Sequence, residues 1–387
     1  MRAALAAALL AVLLAGCSGA AVPPSHPSAA LRWVVKQLPG VSGETASGLA
    51  SVSCPSPAFC VSVGATASGS RKTALVERWN GASWGVEATP ALPGLAELLG
   101  LSCPSLSYCA AVGDFTLGSN RDEHLLVIAR VAGHWVSQVP VVPSGAVSAQ
   151  LSAVSCPSAT SCAAIGESTN DRKSSSWFLE HWSGSRWAFQ ALPLPTSAAL
   201  SAVSCPTSSF CMAVGDYARG GQQFPIEFVE YGGTWTEKSV PSPASAGQPD
   251  LTALTCLSAG FCAATGFGSR KGSSVVPVPF MDVFNGVAWT VHTMPQPTAQ
   301  GGLSCATPQF CVAVASYDPL TGATPGTPAG FLDSWDGTAW RIDSVLSGDF
   351  ELASVSCPSN QACFAAGTGP ITSSAGAPSP VIARLAP

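Results

Sequence analysis

Cysteine is the residue type best placed to do chemistry in this chain of 387 residues, which carries fifteen of them. Fourteen form seven pairs with five residues between partners: Cys54 and Cys60, Cys103 and Cys109, Cys156 and Cys162, Cys205 and Cys211, Cys256 and Cys262, Cys305 and Cys311, Cys357 and Cys363. Three chemistries use thiols at short spacing. A structural zinc site needs four ligands, and the five histidines recur at no fixed place beside the pairs. A dithiol redox centre favours two intervening residues, a spacing the chain lacks. An oxidising compartment simply closes neighbouring thiols as disulfides. The pairs therefore read as seven structural staples, with no metal and no cofactor expected.

Cys17 stands apart. Residues 1–30 read MRAALAAALLAVLLAGCSGAAVPPSHPSAA. Arg2 gives a positive start, and the apolar stretch 3–15 is too short for a stable membrane span. Leu14-Ala15-Gly16 before Cys17 resembles a bacterial lipobox, which implies that Cys17 is lipidated. The expected organisation is a signal peptide over 1–16, a lipidated Cys17 and flexible tether over 17–29, and one domain over 30–387. The protein would then be exported and held at the extracytoplasmic face of the cell membrane by its lipid alone.

The seven pairs also set a period. First cysteines are spaced 49, 53, 49, 51, 49 and 52 residues apart, a repeat of the size of a four-stranded propeller blade. In the first unit, 49–54 (LASVSC) alternates as a strand, PSPA turns, and 59–64 (FCVSVG) returns. A polar loop over 65–72 follows, then a third strand over 74–79, an Asn-Gly hairpin and a fourth strand over 84–90. Called a to d, these make one antiparallel blade. The c–d hairpin recurs as WNGASW, WSGSRW, FNGVAW and WDGTAW, and in shortened forms VAGHW and YGGTW, so that Tyr231 falls at the aromatic end of strand c. These aromatics read as packing between blades rather than as sugar-stacking platforms. The seventh unit lacks strand d, and residues 31–39 (LRWVVKQLP) match the other d strands. The expected fold is all-β: a seven-bladed β-propeller whose last blade is completed, 3+1, by the N-terminal strand, which removes free sheet edges.

With these motifs the chain resembles kelch-type propellers, with a single glycine (Gly64, Gly113, Gly215) where kelch repeats carry two. It is similar, more closely, to the exported SCPSxxxCxAVG…WNGxxW repeat proteins of high-GC Gram-positive bacteria. The resemblance implies the fold and no defined activity.

Composition narrows function. Charged residues make up 10% of the chain, the net charge is −5 and the pI is about 5.5, with no basic excess to neutralise phosphates, so no nucleic acid is expected as a partner. Residues that break the repeat are the functional candidates, and they gather in the b–c loops. Asp114, Glu167 and Asp216 follow the b-strand glycine in three consecutive blades. Phe115, Arg121, Arg172, Tyr217 and Arg219 lie near them in sequence, and Tyr317 and Asp318 stand at the b–c loop of blade 6. Carboxylates beside aromatics suit a sugar or a cation. No catalytic set is evident: G-x-S-x-G in a strand-to-helix context and a phosphate loop are missing, and of the four tyrosines that could serve as a sialidase nucleophile, Tyr108 abuts a disulfide and Tyr231 sits at the c–d aromatic position. The reading is a monomeric binding or scaffold propeller for a protein or an envelope glycan. Its alternative is a glycoside hydrolase or lyase with a charged central pocket.

Overall fold

Every C-x5-C segment folds as a tight a–b hairpin. Its two cysteines stand on facing strands with Cα atoms 3.9–4.1 Å apart, and all seven pairs are disulfide-bonded. The computed structural model describes residues 31–117, 122–195, 197–270, 277–295, 301–317, 329–348, 350–369 and 378–386. These build seven four-stranded antiparallel sheets, with no helix among the described residues. In blade 1 the strands are a (Ala46–Ser56), b (Phe59–Ser68), c (Arg71–Trp79) and d (Trp84–Val86). Six blades follow this order, and the seventh is completed by Trp33–Gln37, which pairs with Ser379–Leu385 in the register Trp33↔Leu385 to Gln37↔Val381. The N-terminal strand thus closes the ring as strand d of the last blade.

The a strands line a central channel, each beside the next, with the a strand of blade 7 (Glu351–Ser359) against that of blade 1. The serine before each first cysteine joins them. Its hydroxyl accepts a hydrogen bond from the backbone N–H of the next blade's first cysteine: Cys103 N–H to Ser53, Cys156 to Ser102, Cys205 to Ser155, Cys256 to Ser204, Cys357 to Ser304, and Cys54 to Ser356 across the closure, at 2.9–3.0 Å. At the remaining junction, between blades 5 and 6, Thr255 replaces the serine and this bond is not made. A recurring motif first legible as turn chemistry is thus also a girdle.

The recurring glycine of strand b has a steric cause. Strand a carries a bulge opposite it, shown by the register shifts Leu49/Ser51, Leu98/Gly100, Leu151/Ala153, Leu200/Ala202, Leu251/Ala253 and Leu352/Ser354. The bulge drives a carbonyl into the neighbouring strand, so a Cβ on Gly64 would stand 2.0 Å from the Gly48 oxygen. Blade 6 solves the same problem from the other side. Ala315 replaces the b glycine, and Gly301 of the incoming chain takes the close approach, its would-be Cβ 1.5 Å from the Val314 oxygen.

Apolar burial is divided into seven clusters, one at each junction between consecutive blades. Both faces of each b strand are therefore covered, and these strands read as near-continuous buried runs instead of alternating ones. The tryptophans ending strand c belong to this packing. Trp79, Trp182 and Trp335 are buried and donate their indole N–H to the a–b turn carbonyls of Pro57, Ala159 and Pro308, and Trp79 packs on Phe364 of the previous blade at 5.9 Å. With ring and N–H both used internally, they offer no platform for a sugar.

Two expectations need correction. The polar b–c loop of blade 1 is largely a ladder: strands b and c continue to Ser68 and Arg71 through Ala65↔Ala74, Thr66↔Thr73 and Ala67↔Lys72. Cross-strand pairing has absorbed polar residues that composition alone marks as loop. Tyr231 is also not at the aromatic register. The two-residue turn of blade 4 places Glu230 opposite Cys211 and Trp235, while Tyr231 pairs with Thr234 at the hairpin end and is exposed.

Candidate functional site

Strands a and c run one way and strands b and d the other, so the b–c hairpins and the d–a connections share one face. Asp114, Glu167 and Asp216 occupy matching positions there, each one residue past the b-strand glycine and paired with Glu97, Gln150 and Ala199 of the adjacent a strands. They are strand residues, not loop residues, and so are Phe115, Tyr217 and Arg219. They do not form one cluster: Asp114 and Asp216 belong to two separate ones.

The first spans blades 1 to 3. Lys72 of strand c, blade 1, forms an ion pair with Glu97 of strand a, blade 2 (Leu95–Ser105). Glu97 faces Asp114, and Glu123, at the start of strand c of the same blade, hydrogen-bonds Ser148 of blade 3 through its backbone N–H (3.0 Å) and carboxylate (3.3 Å). Asp114 is 5% exposed, and its Oδ1 has no hydrogen-bond partner. Burial, reinforced by the negative charges of Glu97 and Glu123 and opposed by Lys72, pushes its carboxyl up to about 7. Phe115 stacks on His124 at 5.2 Å.

The second cluster joins blades 4 and 5. Asp216 faces Asp250 of strand a, blade 5 (Ala246–Ser258), closely enough for the two carboxyls to interact, and Oδ1 of Asp250 is buried without a hydrogen-bond partner. Burial first, then the facing Asp216, raises Asp250 above the ordinary carboxylate range, and burial raises Asp216 as well. Both carboxyls are thus harder to ionise than exposed ones, Asp250 being pushed up to about 7. Tyr217 packs on Phe224 at 5.5 Å beside it.

Glu167 faces Gln150 and Trp177 and joins neither cluster. Arg172 and Arg219 are exposed near hairpin tips. Tyr317 lies on strand b of blade 6 opposite Ala329. Arg121, Asp318 and Cys17 fall outside the described residues. Glu97 and Asp250 were missed by a reading confined to loops. Their signal was available: the position six before the first cysteine is Gly48, Glu97, Gln150, Ala199, Asp250 and Glu351 in blades 1 to 5 and 7, a column that varies inside an otherwise regular strand.

The channel waist is chemically different. A cavity of about 200 Å³ is lined by all seven blades, among them Ser51, Gly100, Ser152, Ala202, Thr252 and Gly302, and no lining residue is charged.

Fold and site together define a seven-bladed β-propeller with a disulfide in every blade and two carboxylate clusters on its b–c rim. By sequence the chain matches no protein-family model and no curated protein. Among solved structures it is similar to YCF48 bound to D1 peptide, at 13% identity and a TM-score of 0.55 over 94% of this chain and 99% of that one. It is also similar to an ulvan lyase of polysaccharide lyase family PL25, at 10% identity and 0.54 over 90% and 95%. The fucose-specific lectin of Aleuria aurantia aligns at 12% identity and 0.46 over 79% and 97%. Likeness at these identities shows the fold alone.

Proposed function

We propose that the protein is a non-catalytic binding propeller, exported and anchored by a lipid on Cys17, that takes a protein segment or an envelope glycan on its b–c rim. The observation that carries this reading is the division of polarity. Charged and aromatic side chains, Lys72, Glu97, Asp114, Glu123 and the Asp216–Asp250 pair, stand on the rim, whereas the waist of the channel is small and neutral. A pocket enzyme of this fold would converge its carboxylates and cations on the axis. The seven disulfides agree with an extracellular or otherwise oxidising location.

The glycosidase or lyase reading has one observation in its favour, the facing carboxyls of Asp216 and Asp250, both harder to ionise than exposed ones. Its geometry speaks against the idea. Glycosidases hold their two carboxyls roughly 5 Å or more apart, to flank the scissile bond, whereas Asp216 and Asp250 interact directly with each other and lie away from the axial cavity.

The test uses the oxidised chain 30–387 against a glycan array and a cell-wall extract. Saturable binding without release of reducing ends or unsaturated uronic acids supports the proposal. Product release from any saccharide overturns it.

A further inference from the structure

We propose that the junction between blades 3 and 4 is a second binding site, on the opposite face from the rim, and that it takes an arginine side chain presented by a partner protein.

Each junction is built from the same positions. The residue before the second cysteine of one blade faces the residue of the next blade's strand c that pairs with that blade's second cysteine. Large side chains normally fill both: Tyr108 with Trp182, Phe210 with Phe284, Phe261 with Trp335, Phe310 with Leu385. At the closure Ala362 is small but Trp79 is large. Only between blades 3 and 4 do both become small or polar, as Ser161 and Glu230. A cavity of about 280 Å³ results, lined among others by Ser161, His181, Gln190, Ser208, Glu230 and Trp235.

The cavity keeps polar groups that three other junctions satisfy, although the strand-d indole N–H groups of Trp33 and Trp340 also lack a partner. At the first junction the indole N–H of Trp135 donates to Glu87 at 2.9 Å, and at the second that of Trp187 donates to Gln138 at 2.8 Å. Their counterparts here, Trp235 and Gln190, line the cavity and make no such bond. Glu230 is 9% exposed. It accepts a hydrogen bond from the Gly233 N–H through Oε1 and makes no ion pair among the described residues.

The first junction shows what chemistry completes such a gap. There the chain supplies its own guanidinium. Arg130, at the register of Glu230, reaches Glu87 at 3.2 Å and lies over the Phe59 ring at 5.2 Å. Carboxylate, cation and aromatic are all in place. Between blades 3 and 4 the carboxylate is Glu230, the aromatic is Trp235, and apart from the imidazole of His181 in the cavity lining no lining side chain is basic. A planar guanidinium satisfies a carboxylate through paired N–H donors, offers a further donor to the Gln190 carbonyl and stacks on an indole. The cavity volume admits it with part of its aliphatic stem.

The experiment is a titration of the oxidised wild-type chain with acetyl-Gly-Arg-Gly-amide, followed by NMR, beside the isosteric citrulline peptide. Glu230→Gln removes the charge while keeping the shape. Ser161→Phe fills the cavity with the residue that blades 1, 4, 5 and 6 carry there, and thermal melts confirm that both variants fold. Expected are saturable shifts with the arginine peptide, at least tenfold weaker binding of the citrulline peptide and of the arginine peptide to Glu230→Gln, and loss of binding in Ser161→Phe. Failure of the wild type to saturate, equal affinity for citrulline, or unchanged affinity in Glu230→Gln overturns the proposal. Because the variants leave the rim intact, rim binding of an envelope ligand stands or falls separately.

Discussion

At the scale of single residues, the repeat is a set of solved local problems, and its exceptions are informative. The serine before the first cysteine is worth one inter-blade hydrogen bond, so Ser204→Ala should cost about 1 kcal/mol in denaturant unfolding, while Thr255→Ser should be neutral or stabilising because an unbranched side chain is freer to turn its hydroxyl toward the Cys305 N–H. Equal losses in both would show that the hydroxyl acts only within its own turn. Buried carboxyls are the second residue-scale feature. Glu77, Glu180, Asp282 and Asp333 lie within c strands, and burial pushes them up to about 7, 7, 8 and 7. A carboxyl whose folded value exceeds its unfolded one contributes stability that is complete below about pH 4 and lost as pH rises through the folded value. For Asp282, fully buried with neither oxygen bonded, that loss extends to about pH 8. Melting temperature should therefore fall from pH 5 to pH 9, and Asp282→Asn should fall less steeply, the gap between the two widening from about pH 4 and levelling off above about pH 8. Parallel curves would mean that Asp282 is solvated in the folded protein.

The blade is the next scale, and here the hairpins decide what was legible. Cysteine spacing and Asn-Gly turns are local chemistry, so the a–b and c–d hairpins could be read directly. Asn80 confirms the logic, its Oδ1 accepting the N–H groups of Ala82 and Ser83 while Gly81 takes φ of 93°. The b–c hairpins were less legible because pairing such as Thr66↔Thr73 depends on the partner strand rather than on hydrophobic alternation. Glu97 and Asp250 were hidden for a related reason: strand a lines a channel, and a polar residue there resembles any solvent-facing strand position. The shift of Tyr231 out of register followed from turn length alone. Each disulfide closes a loop of about seven residues, worth about 2 kcal/mol by chain entropy. Replacing Cys103 and Cys109 together by alanine should lower stability by that amount, and reductant should lower the melting temperature of the wild type by much more. An unchanged melt in reductant would contradict the role of the disulfides as staples.

At the scale of the molecule, stability is distributed around a ring of seven junction cores, with no central one, and the ring depends on its closure. Removing residues 31–39 deletes strand d of the last blade and Leu38 from the junction with blade 1, baring the edge of Ser379–Leu385. The truncated chain should aggregate or melt well below the full domain, and a monomer of unchanged stability would show that blade 7 closes without its N-terminal strand. The closed ring also separates two surfaces, a charged rim and a neutral waist, and the proposed contact is made at the rim. The most direct measurement is the affinity of an envelope ligand captured by the wild type for two variants. A rim variant carries Lys72→Ala, Glu97→Ala and Asp216→Ala; a waist variant carries Ser51→Ala and Ser152→Ala. At least tenfold weaker binding in the rim variant, with wild-type affinity in the waist variant, is the predicted result. Undiminished binding by a folded rim variant, or loss confined to the waist variant, would contradict it.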